Sequence, residues 1–392
     1  MTTEMFAIDV KGLRQLEEGR DVWRAPLELI ANVFDEARGY EDRPRPTRCD
    51  ILIEPIPGSR AHRYVVTDDG AGFQDESDVY TLFAPTPKRS NAEVAGRFNS
   101  GEKQLIATAK SAVVKTGKTT TTFERDQRTV TNHRTAHPGT MIECVMRWTQ
   151  DEAEAVRGAI RRCRPPQGLR LTLNGEVLPE PTPTYCTVRV SLPTVLLNEG
   201  VMRPTVRKTN VSVLLSETEP WIYELGIPVT PAGGEFRWAL DVGQKIPMPQ
   251  SRDAISQAWI DKCLGFVIEA ASLDGHELLT EEDDGRGFVK QAMEHITNPT
   301  AIQAVIENVH GPDAVRRSSD AGANSRAELE GQRIVSGRTL GPKTRERLNQ
   351  HGILPTSHFV YGNPSPPSYT GTEVGAPALV CPNCGTAVTQ PH

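Results

Sequence analysis

The stretch "ELIANVFDEA", residues 28–37, places its polar and apolar side chains with the period of an α-helix. At about 100° per residue, Glu28, Asn32, Asp35 and Glu36 share one arc of that helix, while the residues between them fill the opposite arc with apolar groups. The pattern predicts an amphipathic helix that packs on a core. Taken alone, the polar arc is consistent either with a helix face exposed to water or with a ligand site. Motifs elsewhere in the sequence are needed to distinguish the two.

Composition limits the class of protein. The chain has 392 residues, of which 37% are hydrophobic and 24% charged, which is typical of a soluble globular protein long enough for two domains. No apolar run approaches the roughly 20 residues that span a bilayer. The start "MTTEMFAIDVKG" lacks the pattern of a signal peptide. We expect a cytoplasmic protein that does not enter a membrane.

Charge and cysteine content narrow the class further. A net charge of −6 disfavours a protein that mainly coats nucleic acid. The basic segment "RGAIRRCRPP", residues 157–166, can be a local nucleic-acid contact or, more commonly, a solvated helix face. The seven cysteines are an odd number and most are scattered singly, which favours reduced thiols.

Strand-like runs and helical segments alternate along the chain, which predicts an α+β fold of two layers. We expect a first domain at 1–149 and a second α+β domain at 150–272, which begins with the charged helix "TQDEAEAVRGAIRRC" and ends with a helix at about 251–271. A helical region is expected at 273–354. The remainder, 355–392, is rich in Pro, Gly, Ser and Thr and predicts a flexible tail.

A second motif, "VVTDDGAGF" at 65–73, ends a buried strand at Asp68 and then supplies two glycines, Gly70 and Gly72. Glycine permits tight turns and a close approach of a ligand to the backbone. An ordinary turn has the same composition, so this motif alone is weak. The similar "DDGRG" at 283–287 lies in an acidic stretch without an apolar strand before it, and we interpret it as a surface loop.

The stretch "GRFNSGEKQLIATA", residues 96–109, joins a loop bounded by glycines to the start of a helix. The N-terminus of a helix favours an anion, most often phosphate. Lys103 in that helix and Lys88 and Arg89 before it can add positive charge, although each lysine taken singly is more commonly solvated. Further on, Thr140 begins a strand directly after a glycine in "HPGTMIE".

The four motifs, in this order over roughly residues 20–148, resemble the Bergerat ATP-binding fold of the GHKL superfamily. That superfamily includes gyrase B, MutL, topoisomerase VI B, phage rIIA-type proteins and sensor histidine kinases. The resemblance implies a Bergerat-type two-layer sandwich. The glutamate in the first motif favours the hydrolytic branch, because the histidine kinases lack it and carry a phospho-accepting helix that is not evident before residue 20.

The resemblance implies a role for each motif residue. Glu28 would position and deprotonate the attacking water, and Asn32 would bind the Mg²⁺ that bridges the phosphates. Asp68 would accept a hydrogen bond from the adenine amino group, and Gly70 and Gly72 would let the base lie close to the backbone.

Five further residues receive supporting roles from the same resemblance. Thr140 would assist at the adenine through its hydroxyl and a bridging water, and Asp35 would tether neighbouring basic groups or the lid. Gly96, Gly101 and Lys103 would form the lid and the phosphate edge.

The second domain resembles the transducer that follows the ATP site in gyrase B, MutL and topoisomerase VI B. In those proteins it sends a lysine to the γ-phosphate. Lys245, in "DVGQKIPMPQSRDAI", is the candidate here, although a lysine on a surface connection between a strand and a helix is an equal alternative.

The tail contains a possible metal site. In "CPNCG", Cys381 and Cys384 have the spacing of a zinc knuckle, which supplies two of the four ligands that a tetrahedral ion needs. The nearest further candidates are His358 and His392. A site shared between chains and a turn without metal are equally open.

The sequence therefore predicts a Mg²⁺-dependent ATPase in which ATP binding closes a homodimer and hydrolysis reopens it. The resemblance implies a DNA-related or phage–host process, with DNA or a protein as partner. The main alternative is a non-catalytic scaffold that presents a partner surface when ATP is bound. A pure interaction protein with a lost nucleotide site is disfavoured, because Asn32, Asp68 and Gly72 are all present.

Overall fold

The computed structural model describes residues 10–15, 19–39, 43–84, 86–97, 100–179, 183–198, 201–216, 219–233, 236–249 and 254–357. The predicted zinc ligands Cys381 and Cys384 and the tail from residue 358 lie outside these ranges. The described fold is α+β, as predicted. None of its helices combines the length and apolarity needed to cross a membrane.

The first unit is built on a six-stranded sheet in the order β3-β4-β2-β1-β5-β6. Its strands are β1 (Arg48–Pro55), β2 (His62–Asp68), β3 (Ser111–Glu124), β4 (Gln127–Met146), β5 (Arg170–Leu173) and β6 (Glu176–Val177). All neighbouring pairs are antiparallel except β1 and β5, which run parallel.

Helices pack on the first sheet. They are α2 (Arg24–Gly39), α3 (Gly101–Thr108) and α4 (Gln150–Arg162), and a short helix α1 (Val10–Gln15) lies against α3. The apolar arc of α2 is inside the core, where Leu27, Ile30 and Phe34 are at most 2% exposed. These side chains share one hydrophobic cluster with α3, α4 and the strands β1, β2 and β4. The predicted amphipathic helix is therefore present, and its polar arc faces away from this core.

The first unit extends beyond the expected boundary at residue 149. Val156 and Ile160 of α4 and Leu171 of β5 are buried in the first core, and β5 pairs directly with β1. The assignment of α4 and β5 to the second domain is therefore corrected. The "RPPQG" break after α4 looks like a linker in the sequence, but it turns the chain back to the edge of the same sheet.

The second unit is built on a five-stranded sheet in the order β10-β9-β11-β8-β7. Its strands are β7 (Thr184–Asn198), β8 (Val201–Leu215), β9 (Trp221–Glu224), β10 (Ile227–Pro231) and β11 (Trp238–Val242). Helix α5 (Gln257–Leu273) packs on this sheet. It begins later than predicted because Ser256 caps its N-terminus by accepting the N–H of Trp259.

The remaining described elements belong to the same unit. They are α6 (Gly287–Met293), α7 (Pro299–His310), β12 (Val315–Arg316), α8 (Ala321–Leu329), β13 (Ile334–Val335) and α9 (Pro342–His351). Ile302 of α7 and Leu348 of α9 lie in one hydrophobic cluster with Leu240 of β11 and Val267 of α5. The expected boundary at residue 272 is therefore not a break in packing, because these helices complete the core of the second unit.

Candidate functional site

A cavity of about 240 Å³ lies between α2, the end of β2, the start of α3 and the second unit. Its lining contains seven of the residues predicted from the motifs: Glu28, Asn32, Asp68, Gly72, Gly96, Gly101 and Thr140. These residues come from four separate segments of the chain, and the fold brings them to one site. Lys88 lines the same cavity.

One end of the cavity is built around Asp68, the last residue of β2. Asp68 lies opposite Thr140 of β4 in the strand register, and its Oδ1 accepts the N–H of Gly70 at 2.9 Å. Gly72 has a φ of +78°, and a Cβ there would lie 2.7 Å from the hydroxyl oxygen of Thr116. Only glycine fits this turn without strain, so the glycines hold the backbone close beside the carboxylate.

The Asp68 carboxyl is protonated more readily than an ordinary aspartate. Burial raises its pKa from 3.8 to about 6, although hydrogen bonds from the backbones of Gly70 and Thr140 partly oppose the shift. Because the pKa of Asp68 is higher in the folded state, protonation of this carboxyl contributes to the free energy of unfolding. That contribution is complete below about pH 3.8 and is lost as the pH rises through about 6. At neutral pH the folded protein therefore holds an unfavourable buried charge.

We expect Asp68→Asn to stabilise the ligand-free protein, and to do so more at about pH 7.5 than at about pH 4.5. The amide removes the buried charge, while its oxygen can still accept the N–H of Gly70. The gain at the higher pH should be about 1–2 kcal/mol in the free energy of unfolding. Thermal unfolding at the two pH values measures it.

The adjacent Asp69 provides a control of opposite sign. Burial is the largest single influence on the pKa of Asp69 and raises it, but the hydrogen bonds from Thr47 and Arg48 together outweigh burial, so that the pKa is lowered overall. Asp69→Asn should therefore lose stability relative to the unmodified protein as the pH rises through the acid range. An Asp68→Asn effect that is the same at both pH values would contradict the assigned burial.

The other end of the cavity is built around Asn32 and Glu28 on α2. The Asn32 amide donates to Glu102 Oε2 at 3.5 Å, and its Oδ1 accepts from Lys88 Nζ at 3.3 Å. Glu28 lies one turn earlier on α2, directly beside Gly101 at the start of α3. A Cβ on Gly101 would lie 2.4 Å from Glu28 Oε2 and 2.8 Å from its Cγ. Only glycine therefore allows α3 to begin this close to the carboxylate.

Asp35 lies behind the cavity, outside the described lining, and is only 1% exposed. Its carboxylate accepts the N–H of Ala95 at 2.6 Å and that of Gly96 at 2.9 Å. It also forms an ion pair with Lys88 at 3.3 Å. Asp35 therefore holds a loop backbone and a lysine in place.

Two lysines that were predicted to contact phosphate, Lys103 and Lys245, lie outside the described cavity lining. Lys103 is buried, and its ammonium bonds to Glu102 rather than lining the described cavity. Lys245 lies between a strand and a helix as predicted, but it is 0% exposed, so the alternative of a surface lysine is wrong. Its ammonium donates to the carbonyl of Lys88 and lies outside the described cavity lining.

Two other predicted residues, Gly70 and Arg89, lie near the cavity but outside its described lining. Gly70 is buried beside Asp68 but outside the described lining of the cavity. Arg89 donates to the carbonyl of Phe83 at 2.9 Å rather than pointing into the cavity. Within the described ranges, no cluster of three or more His, Cys, Asp and Glu side chains is arranged to hold a metal ion.

Several cavity residues were missed in the sequence. Glu102 stands in the first turn of α3, within a quoted motif, and its place beside the helix start could have suggested a role. Arg97 and Glu224 form a buried ion pair between the two units, with each side chain 3% exposed. Nothing in the short apolar strand β9 indicates that Glu224 reaches a partner so far away in the chain.

The charges of the cavity lining nearly balance. Five cationic side chains face six acidic ones: Arg20, Arg24, Arg43, Lys88 and Arg97 against Glu28, Glu36, Asp68, Asp78, Glu102 and Glu224. A polyanionic ligand would therefore enter a cavity that offers no cationic surplus. A metal cation that accompanies the ligand would remove this mismatch.

The chain shows a distant similarity to solved structures. No family model and no curated protein matches this chain. Two solved structures of the ATPase region of Saccharomyces cerevisiae topoisomerase II, one bound to dexrazoxane, are similar at 13% identity and a TM-score of 0.37. The similarity covers 53% of this chain and 63% or 62% of those chains, so this chain spans less than two thirds of their length. A likeness this low supports no conclusion about function.

Proposed function

We propose that the cavity binds Mg²⁺–ATP and that Glu28 promotes its hydrolysis, as in the hydrolytic branch of the GHKL superfamily that the sequence resembles. One observation carries the proposal: a single cavity has Asp68, Thr140 and a glycine turn at one end and Asn32, Glu28 and a helix N-terminus at the other. The first set suits a purine with an exocyclic amino group. The second suits a triphosphate and the water that attacks it.

The adenine end fits because Asp68 already uses Oδ1 for the backbone of Gly70. A second carboxylate oxygen that faces the cavity would accept from the adenine amino group. Guanine carries a carbonyl oxygen at the corresponding position, which would meet a carboxylate and gain no hydrogen bond. Thr140, opposite Asp68, would support the base through its hydroxyl.

The phosphate end fits because it combines a helix N-terminus with close-packed glycines. Helix α3 has eight residues, and Ser100 precedes it without a side-chain capping bond in the described structure. Its first-turn N–H groups can therefore bind an anion. A Cβ on Gly96 would lie 2.6 Å from the Lys88 side chain, so glycine preserves the space here too.

Magnesium fits the donor set at Asn32. Asn32 lines the cavity, where its amide nitrogen donates to the Glu102 carboxylate and its amide oxygen accepts from the Lys88 ammonium. Mg²⁺ prefers oxygen ligands and, when bound with a triphosphate, neutralises the charge on the phosphate oxygens. The cavity lining has no cationic surplus to neutralise a triphosphate, which supports a role for Mg²⁺.

Glu28 is placed to act as the general base. It lies one turn before Asn32 on α2 and lines the cavity beside the start of α3. A carboxylate in this place can orient a water molecule and take its proton as the water attacks the terminal phosphate. Nucleotide-gated closure of a homodimer, and a role in a DNA-related or phage–host process, extend the proposal on the resemblance alone.

Nucleotide titration tests the proposal. We expect the protein to bind ATP with Mg²⁺ and to bind GTP at least about 10-fold more weakly, because guanine lacks the amino group that pairs with Asp68. In Asp68→Asn, the amide oxygen would stay on Gly70 and the NH₂ group would face the cavity. ATP affinity should then fall by about 30-fold or more, and the preference for ATP over GTP should shrink. Equal affinities of the unmodified protein for ATP and GTP would contradict the adenine assignment.

A further inference from the structure

The segment 86–97, called here the 86–97 loop, is held on one side by α2. Asp35 accepts the N–H groups of Ala95 and Gly96 and pairs with the ammonium of Lys88. Asn32 accepts from the same ammonium at 3.3 Å. The position of this loop is therefore tied to the polar arc of the helix that carries Glu28.

On its other side the same loop is held by the second unit through Lys245. The Lys245 ammonium donates to the carbonyl of Lys88, and its backbone N–H donates to the carbonyl of Ala92 at 2.8 Å. The carbonyl of Lys245 in turn accepts the hydroxyl of Thr194 on β7 at 2.8 Å. Lys245 thus joins the second sheet to two points of the loop.

A second connection joins the end of the 86–97 loop to the second unit. Arg97 pairs with Glu224 at the end of β9 and donates to the carbonyl of Ile246 at 2.7 Å. The N–H of Ile246 donates to Glu224 Oε2 at 2.7 Å. Buried charge-assisted bonds of this kind are strong and leave little freedom of movement.

The side chain of Lys88 points the other way, into the cavity. Its ammonium lies 3.3 Å from Asn32 Oδ1 and 3.3 Å from Asp35 Oδ2, and its side chain is 18% exposed. A cation therefore already lies at the amide oxygen that the proposed function assigns to Mg²⁺. Lys88 is the lysine of the described cavity lining, whereas the Lys245 ammonium donates to the main-chain carbonyl of Lys88 and lies outside that lining.

From this arrangement we infer that Lys88 contacts the terminal phosphates and that Lys245 is a positioning residue, which holds Lys88 through its main-chain carbonyl. The inference rests on the proposed function and names the lysine of that site. When a triphosphate draws the Lys88 ammonium away from Asn32 and Asp35, the shift is passed through the Lys88 carbonyl to Lys245 and to the second unit.

The first experiment uses the nucleotide-free protein. Lys245→Met keeps the length and apolar stem of the side chain but removes the donor to the loop. Amide hydrogen exchange over residues 88–97 should accelerate by about 10-fold, while exchange in α4 stays unchanged. Thr194→Val removes the hydroxyl that donates to the carbonyl of Lys245 and leaves the Lys245 ammonium unchanged. It should give a smaller acceleration of exchange. This variant provides the test if Lys245→Met does not fold. Unchanged exchange in both variants would overturn the positioning role.

The second experiment is a double-mutant cycle on ATP and ADP affinity. Lys88→Met should weaken ATP about 10-fold to 100-fold and ADP by a few-fold, because the lost contact is to the terminal phosphate. Lys245→Met should weaken ATP by about 10-fold alone but by less than about 2-fold when Lys88 is already Met. In Lys88→Met the main-chain carbonyl of residue 88 remains, so the Lys245 ammonium can still donate to it.

The possible outcomes are distinct. Additive losses would overturn the positioning role of Lys245, and a Lys88→Met variant with unchanged ATP affinity would overturn the assignment of Lys88. Either result leaves the proposed function intact. Absence of ATP binding by the unmodified protein would overturn the proposed function together with that assignment. Non-additive losses that are much larger for ATP than for ADP support both the proposed function and the assignment of Lys88.

Discussion

Glu28→Gln should keep ATP affinity within a few-fold of the unmodified protein while it lowers turnover by about 10² to 10⁴-fold. The amide has the same shape as the carboxylate and fits beside Gly101, but it cannot take a proton from water. Glu28 lines the cavity one turn from Asn32, so the substitution removes the base and keeps the binding site. Direct nucleotide titration and phosphate release measure the two quantities separately.

The same variant tests dimer closure. Because hydrolysis is blocked, the ATP-bound closed state should accumulate, and light scattering should show a doubled mass with ATP but not with ADP. Glu154→Gln makes the same change on an exposed face of α4, where the carboxylate pairs with Arg161, and should leave turnover unchanged. If Glu28→Gln turns over ATP at the unmodified rate, Glu28 is not the base. If the unmodified protein binds ATP without turnover, the non-catalytic scaffold becomes the better account.

Gly101→Ala should lower turnover by about 10²-fold and reduce the free energy of unfolding by about 1–3 kcal/mol. The new methyl group would lie within 2.9 Å of three atoms of the Glu28 side chain, so the carboxylate must move away from its place. Gly287→Ala is the matched control, because a Cβ there meets nothing within 4 Å. That variant should retain full stability and turnover.

A second substitution separates steric displacement from a general loss of folding. Glu28→Ala removes the Oε2 and Cγ atoms, the two that lie closest to the new methyl group, and leaves only the Cβ at 2.9 Å. Gly101→Ala should therefore cost less stability in that background than in the unmodified protein. Nucleotide binding should persist, while turnover stays low because the base is absent. If Gly101→Ala destabilises the protein equally in both backgrounds, the close packing against Glu28 is not the cause.

Much of the site can be predicted from local pattern. The period of residues 28–37 places Glu28 and Asn32 on one face of α2, and the motif around Asp68 places it at the end of β2 opposite Thr140. These features depend on side-chain spacing and on glycine, which a sequence displays directly. Glu102 belongs to the same class, since it follows Gly101 in a motif already singled out.

The features that escaped prediction depend on partners that are remote in sequence. Lysine is rarely fully buried, so Lys245 resembles a surface residue until its acceptor, the Lys88 carbonyl 157 residues away, is known. Arg97 and Glu224 are separated by 127 residues. In the same way, β5 joins the first sheet because β1 has an open edge, and the local pattern of β5 does not reveal which edge it will pair with.

The measurement that tests the central claim most directly is steady-state phosphate release from ATP by the purified protein with Mg²⁺, alongside Glu28→Gln at equal concentration. The account predicts turnover that requires Mg²⁺ and falls by about 10²-fold or more in Glu28→Gln, although both proteins bind ATP. Turnover that survives both the removal of Mg²⁺ and the loss of Glu28 would contradict it, as would an unmodified protein that neither binds nor hydrolyses ATP.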